Sequence, residues 1–484
     1  MALLTLVMVP SASAEASPSP SDSVSYYPPL PQKEGEQRLL VILVEFQDLN
    51  HTLLISAIRN NFLFMQSYYY PLSFNEIYLN TTVDSNWYRT NETIGSFTYG
   101  GSGDIYSFYS NFVQEAVALA DPNVNYSDYD QVIILHAGSS SYFGGNSLTL
   151  TGLNITTMDN CTLDTVAIVG EFDHWIIIAH EYGHILGLPD LYNYAIYSAG
   201  GNYSIYAGAW DLMSNDYSYG TPGLTSWNLL RLGWLPATRV ATVGPGGNLT
   251  VNLNSVDAIS SNRYNALKVP LTNTTYYLVE VRLPTSSNLD LLDYGVLVML
   301  VNESIPPGSG PLRIMDSNNL TSTLNDATFD LRKGKVSVFL DQEHNIAIVV
   351  NALFISSTGL GFTVSATDYA TGQQALAIAS FLMDVKEKVT TIPYIYDFFG
   401  ERSASQVAFD LFASGDYGGA QRQAQQALNI YWFDVILRLT AIIILVTVAI
   451  LLVVYRKRLS KYYHSFKKRI DPLAYPERSP DGRV

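Results

Sequence analysis

The chain holds seven histidines in 484 residues. Two of them frame a glutamate in His180-Glu181-Tyr182-Gly183-His184. On a helix, positions i and i+4 share a face, so both imidazoles can point at one ion. Glu181 stands one step round from His180, within reach of a water on that ion without being a ligand itself. Zinc chemistry uses this division of labour. Three protein ligands leave a fourth position open, and a water bound there has its pKa lowered to about 7. A carboxylate beside it takes the proton as the water attacks a peptide carbonyl. Read instead as two surface histidines in i, i+4 contact, the pattern would put unpartnered imidazoles beside the apolar face Trp175–Ala179, which is costly. The residues point to a metal-dependent hydrolase.

A third ligand must come from elsewhere. Asp190 follows His180 by ten residues, and Gly187 between them permits a sharp positive-φ turn that folds the chain back. A design that draws a glutamate from a later helix has no nearby candidate, because none occurs between Glu181 and Glu280. Asp211 and Asp216 stay open as alternatives, and Asp190 would otherwise be an aspartate capping the turn after Pro189. In GAWDLMS, residues 208–214, Met213 is the candidate for a tight methionine turn forming an apolar floor under the metal. Tyr217 and Tyr219 are candidates to donate a phenolic hydrogen bond to an oxyanion. His174, six residues before His180, faces away from the ion and reads as structural.

Several elements must position these groups. Arg38–Gln47 and Gln131–Ser139 are continuous apolar runs, the pattern of buried strands. Between them Ile105–Ala120 repeats apolar residues at helical spacing, so strand, helix and strand follow as in an α/β unit. A helix capped by Asp173 should carry the HEYGH segment and end at Gly187. These features predict an α/β (α+β) catalytic domain over 38–240. Beyond it, short β-prone stretches at 249–255, 276–284, 296–303 and 346–356 alternate with Gly, Asn and Pro turns, predicting a β-rich accessory domain over 241–368. A helical stalk is expected over 369–433. Within it, SGDYGGAQRQAQQALNI looks like one helix of a helical-repeat pair, although a single copy makes no solenoid.

The two ends suggest a cell-surface location. MALLTLVMVPSASAEA has an apolar run and the small-x-small site Ala12-Ser13-Ala14, predicting a signal peptide over 1–14 despite the missing basic residues. A Ser-, Pro- and Glu-rich flexible linker is expected over 15–37. Ile436–Tyr455 is twenty residues with one charge, Arg438. At 1.5 Å per residue this matches a hydrocarbon core of about 30 Å, predicting a transmembrane helix over 434–455. The tail 456–484 holds nine Lys/Arg against three Asp/Glu. That places the tail in the cytoplasm and the rest outside, with the lipid bilayer as one partner. Eleven N-x-S/T sequons, none beyond the span, suit a glycosylated exterior. A single cysteine, Cys161, leaves no intramolecular disulfide. A net charge of −16 argues against nucleic acid as a partner.

HEYGHILGLPDLY, then WDLMS, then PGLTSWNLLRLGWLP resemble the immune inhibitor A family of secreted zinc metallopeptidases, a metzincin-like group with the pattern HExxHxxGxxD. Upstream, LLVILVEFQD is similar to that family's first strand. FNEIYLNTTVDSNWYRT resembles its region leading to a small Trp-containing strand, and DQVIILHAG the strand before the active-site helix. The resemblance covers about residues 38–236. It implies one catalytic zinc held by His180, His184 and Asp190, with Glu181 as base and Gly187 and Met213 in support. It also implies an endopeptidase whose substrates are proteins or peptides. Family members often carry pro-segments and bind structural calcium; this sequence singles out no calcium site and shows no long pro-segment, and the C-terminal span rests on hydropathy alone. The competing reading is a glycosylated surface or adhesion protein with a catalytically retired metallopeptidase fold, although a retired site has no chemical reason to keep Glu181. A signalling receptor is a weaker third reading, since about thirty residues after the span are too few for a folded effector domain.

Overall fold

The computed structural model describes residues 24–97, 105–140, 147–217, 220–244, 246–258, 263–283, 293–332, 334–356, 359–390 and 400–470. The expected signal peptide, the first part of the linker, Tyr219 and the end of the basic tail lie outside the described residues. Contacts divide the chain into two units, Met1–Ala379 and Ser380–Val484.

In the first unit, the apolar run Leu39–Val44 forms the middle of strand β1 (Gly35–Glu45), and every side chain in it is buried. A strand covered on both faces can be apolar throughout, as parallel sheets require. β1 lies between β2 (Ile77–Arg89) and β3 (Gln131–His136), parallel to both. The edge of the sheet is short. β4 (Leu148–Leu150) is followed by a small hairpin, β5 (Ile155–Thr156) and β6 (Thr162–Leu163), and then by β7 (Val166–Gly170). β7 runs parallel to β3, and β4 pairs antiparallel with β7, giving the order β2-β1-β3-β7-β4.

Alternation along β1 sorts its side chains to two cores. Leu40, Ile42 and Val44 share one core with Phe112, Val113, Ala116 and Val117 of helix α2 (Ile105–Ala120). Leu39, Val41 and Leu43 share the other with helix α1 (Ile55–Leu72) and helix α3 (Trp175–Ile185). Helix α3 starts one residue later than expected. His174 is its N-cap, while Asp173 accepts from Gly170 N at 2.7 Å and from the Ser147 hydroxyl. Asp173 is occupied in the preceding turn, so the cap falls to the next side chain.

After α3 come the short helices α4 (Tyr194–Ser198) and α5 (Ser226–Arg231). Nine further strands follow among the described residues: β8 (Val240–Thr242), β9 (Leu249–Asn254), β10 (Ala266–Pro270), β11 (Thr275–Arg282), β12 (Gly295–Asn302), β13 (Leu312–Met315), β14 (Val338–Asp341), β15 (Ile346–Ser356) and β16 (Gly359–Thr367). They form two sheets, β13-β12-β11-β10-β8 and β14-β15-β16-β9. Val279, Val281, Val296 and Val298 meet Phe339, Ile348, Val350 and Phe362 in one core. The alternate residues of β11 and β12, Tyr276, Leu278, Leu297 and Met299, join the core that contains α1, α3 and Trp227. The β-rich part therefore shares apolar packing with the segment that bears HEYGH.

The flexible linker expected over 15–37 meets packed chain from residue 24 onward. Tyr26 N donates to Glu303 O at 2.8 Å, and Tyr27 OH donates to Ile305 O at 2.8 Å. Its partners lie nearly three hundred residues away, beyond the reach of local composition.

Helix α6 (Tyr369–Thr390) runs across the division between the units. In the second unit, α7 (Glu401–Ala413) and α8 (Tyr417–Ile470) form a hairpin turned by Gly415 at φ +86°. Ala408 and Phe412 are buried, as are Ala420, Ala424 and Ala427 on the first turns of α8. From Trp432 onward α8 exposes its large apolar side chains, and it is long and apolar enough to cross a membrane.

Candidate metal centre

Helix α3 is fixed from below. Tyr182 OH donates to Gln131 Oε1 of β3 at 2.8 Å, and Tyr69 OH of α1 donates to the Ala179 carbonyl at 2.7 Å. These anchors orient both histidines. His180 Nδ1 donates to Leu212 O at 3.0 Å, and His184 Nδ1 donates to Leu188 O at 2.8 Å. With each Nδ1 bonded to a carbonyl, both Nε2 atoms are turned toward the cleft, the orientation in which a neutral imidazole binds a metal.

Those nitrogens converge on one atom. His180 Nε2 lies 3.0 Å and His184 Nε2 3.1 Å from Asp190 Oδ1. All three ligating atoms lie within 4.8 Å of one another. The chain returns to this point because Gly187 adopts φ +94° directly after α3. A side chain there would be strained in this region and would press on Leu30. Tyr194 OH, at the start of α4, donates to the other oxygen, Asp190 Oδ2, at 2.8 Å.

Glu181 points into the same cleft, a cavity of about 710 Å³ that also touches β4 and the segment Tyr26–Leu30. Its Oε2 accepts from the Thr149 hydroxyl at 2.8 Å, and its carbonyl accepts from the same hydroxyl at 3.0 Å. Burial pushes the Glu181 carboxyl up, against the pull of His184 and His180. Burial opposes charge on His184, but Asp190 outweighs it and raises the imidazole to about 9. Asp190 is also buried, yet His184 and His180 hold it well below the usual carboxylate range. Without a cation the three groups compensate one another's charge.

Of the alternative ligands, Asp211 is fully buried and used elsewhere. It accepts from Met213 N at 2.9 Å, from Thr225 N at 2.7 Å and from the Asn228 amide at 3.0 Å, capping the short turn Leu212–Ser214. Asp216 is not part of the His-His-Asp group. The capped turn brings Met213 against α3. A Cβ on Gly183 would stand 2.6 Å from Met213 Sδ. Tyr217 OH lies 3.0 Å from His180 Nδ1, on the side of the ring away from Asp190. His174 caps α3 through its ring, as a structural residue.

The sequence reading did not find Thr149, Tyr194, or the buried network beneath the turn. In that network Arg282 donates to Glu280 and to Leu224 O at 2.9 Å, while Glu280 accepts from Ser226 N at 2.6 Å. The available signal was a charged pair, Glu280 and Arg282, inside an otherwise apolar strand.

The result is a mixed α/β protein with several sheets, a largely buried His-His-Asp group and a C-terminal apolar helix. No protein-family model matches the chain, and no curated protein matches it. Among solved structures, the chain is similar to metalloproteinase-II from Bacteroides fragilis, determined by crystallography. The two are 16% identical with a TM-score of 0.27, and the match covers 42% of this chain and 56% of that one, little more than half its length.

Proposed function

We propose that this chain is a membrane-anchored zinc endopeptidase of the immune inhibitor A type, working outside the cell. The observation that carries the reading is the meeting of His180 Nε2 and His184 Nε2 on Asp190 Oδ1, with Glu181 beside them. Two imidazoles and one carboxylate are a zinc donor set, and separations of 3.0 and 3.1 Å from Asp190 Oδ1 bring them close enough to share one ion. A zinc held there supplies Lewis acidity and lowers the pKa of water. Glu181 accepts the proton of the attacking water and returns it to the leaving amine. Thr149 fixes the carboxylate for that exchange. Among the described residues β4 is the sheet's edge strand, and such an edge can align an extended peptide by main-chain hydrogen bonds.

In this reading α8 holds the protein in the bilayer, with the first unit outside and residues from Arg456 onward inside. The retired-site alternative gives a buried carboxylate at Glu181 no role, and burying it unused is costly.

The test is metal content of the purified protein together with degradation of an unfolded protein, with and without chelator. One zinc per chain and chelator-sensitive cleavage at internal bonds are expected. A zinc-loaded protein that cuts nothing would sink the peptidase reading.

A further inference from the structure

We propose that Arg231 makes the cleft selective for peptides carrying a carboxylate near the bond to be cut. This rests on the peptidase reading and adds a substrate class to it. Arg231 is the last residue of α5 and lines the same cleft as His180, Glu181 and Asp190. It is the only Lys or Arg among the described residues of that lining. Its guanidinium lies 5.0 Å from the ring centre of Tyr27 and 5.2 Å from that of Trp227. Two aromatic faces hold the group in place, so little freedom is lost when an anion docks.

One of its donors lacks an acceptor. Nε is buried with no hydrogen-bond partner, and Arg231 forms no ion pair among the described residues. Glu303 is the carboxylate whose charge it feels most, but that carboxylate is already taken. Glu303 accepts from Tyr276 OH at 2.9 Å, from Ser25 OH at 3.3 Å and from Trp227 Nε1 at 3.5 Å. A guanidinium presents a planar fork of donors that matches a carboxylate in two parallel hydrogen bonds. A buried donor left without an acceptor is costly, and an incoming carboxylate that reaches Nε relieves that cost. Of the other charged groups of the cleft, Glu181 and Asp190 are acidic and His180 and His184 are turned to Asp190, which leaves Arg231 as the cation that faces an incoming carboxylate. The carboxylate can be an Asp or Glu side chain or a peptide's free C-terminus.

The experiment measures kcat and KM of the full chain in detergent on matched peptides. One set differs only by Glu or Gln beside the cut; the other only by a free or amidated C-terminus. The carboxylate peptide of one set should show a KM about tenfold lower, with kcat little changed, the size expected for a charge-assisted hydrogen bond in a partly buried site. Which set responds identifies the source. In Arg231→Gln the KM ratio should collapse to about one, and Arg231→Lys should restore part of it. Equal KM values in the parent, or a ratio that survives Arg231→Gln, overturns the inference and leaves Arg231 as a tether for Tyr27. Equilibrium binding of the same peptides to Glu181→Gln protein, with and without Arg231→Gln, separates the two readings. A carboxylate preference that needs Arg231 there upholds the inference even if the parent cuts nothing, and only the peptidase reading then falls. Binding without preference overturns it while leaving any observed cleavage intact.

Discussion

Thr149 donates its hydroxyl to Glu181 Oε2 at 2.8 Å, tying the antiparallel edge of the sheet to the carboxylate of the HEYGH helix. The bond favours the ionised form against the burial that opposes it. Thr149→Val removes the donor and keeps the shape. We expect kcat to fall by about tenfold, the worth of one hydrogen bond to a charged group, with zinc content unchanged. Thr149→Ser should recover most of the loss. A valine variant with parental kcat would detach Thr149 from the base.

The ligand set makes the sharpest contrast. His180→Ala and His184→Ala each remove one of the three proposed ligands and should leave the purified protein without stoichiometric zinc. Glu181→Gln keeps all three ligands, so it should retain zinc while activity drops about 10²–10⁴-fold, the usual range for loss of a general base. Metal analysis beside a peptide-cleavage rate checks both. Stoichiometric zinc in either alanine variant contradicts the assignment.

Tyr194 acts one step further out. Its hydroxyl holds Asp190 Oδ2 while Oδ1 faces the histidines. Groups that orient a metal ligand typically carry about 10–100-fold of the metal affinity. Tyr194→Phe should therefore weaken zinc binding by that factor in a competitive chelator titration, and saturating zinc should restore the rate. Unaltered affinity would make Tyr194 a cleft-lining residue only.

How far the sequence carried the reading depends on the range of each interaction. β1, β3, α2 and α3 were legible because long apolar runs and helical periodicity are local. Gly187 was legible because its positive φ follows from residue type, and Asp190 from its place just beyond that turn. α1 was not foreseen: its aromatic- and asparagine-rich sequence, with Pro71 in the last turn, has weak helix propensity, and packing against α3 supplies the order. β4 is three residues long and has no periodicity to read. The Asp173 cap was misplaced by one residue because that carboxylate answers to Gly170 and Ser147. Partners far apart in the chain, such as Tyr27 with Ile305 or Ser226 with Glu280, leave no local trace.

Gly183 meets Met213 more closely than any side chain would allow. A Cβ at this position would stand 2.6 Å from Met213 Sδ and 3.3 Å from Tyr69 OH. Tyr69 is held by the Ala179 carbonyl, so the methionine must move. Gly183→Ala gains helix propensity of nearly 1 kcal/mol but overpacks a buried contact, costing about 1–3 kcal/mol. Net destabilisation is expected, with weakened zinc binding because the shifted turn carries Leu212 O, the partner of His180 Nδ1. A thermal melt and a zinc titration test it. A more stable variant with parental zinc affinity would show that Met213 yields without consequence.

The exposed stretch of α8 decides where the protein resides. Ile442, Ile443, Ile444 and Leu445 are each more than half exposed. Apolar area left in water costs roughly 25 cal/mol per Å², so a run this apolar and exposed favours a hydrocarbon environment. In the topology proposed above, the basic residues Arg456, Lys457 and Arg458 follow the span on the inner side, where positive charge is favoured. The full chain should stay with the membrane pellet through an alkaline carbonate wash. A chain ending after Tyr431 keeps the buried alanines of the α7–α8 hairpin and should enter the supernatant. Full-length protein washed off by carbonate would mean that α8 lies on a surface or against another protein and does not span the bilayer.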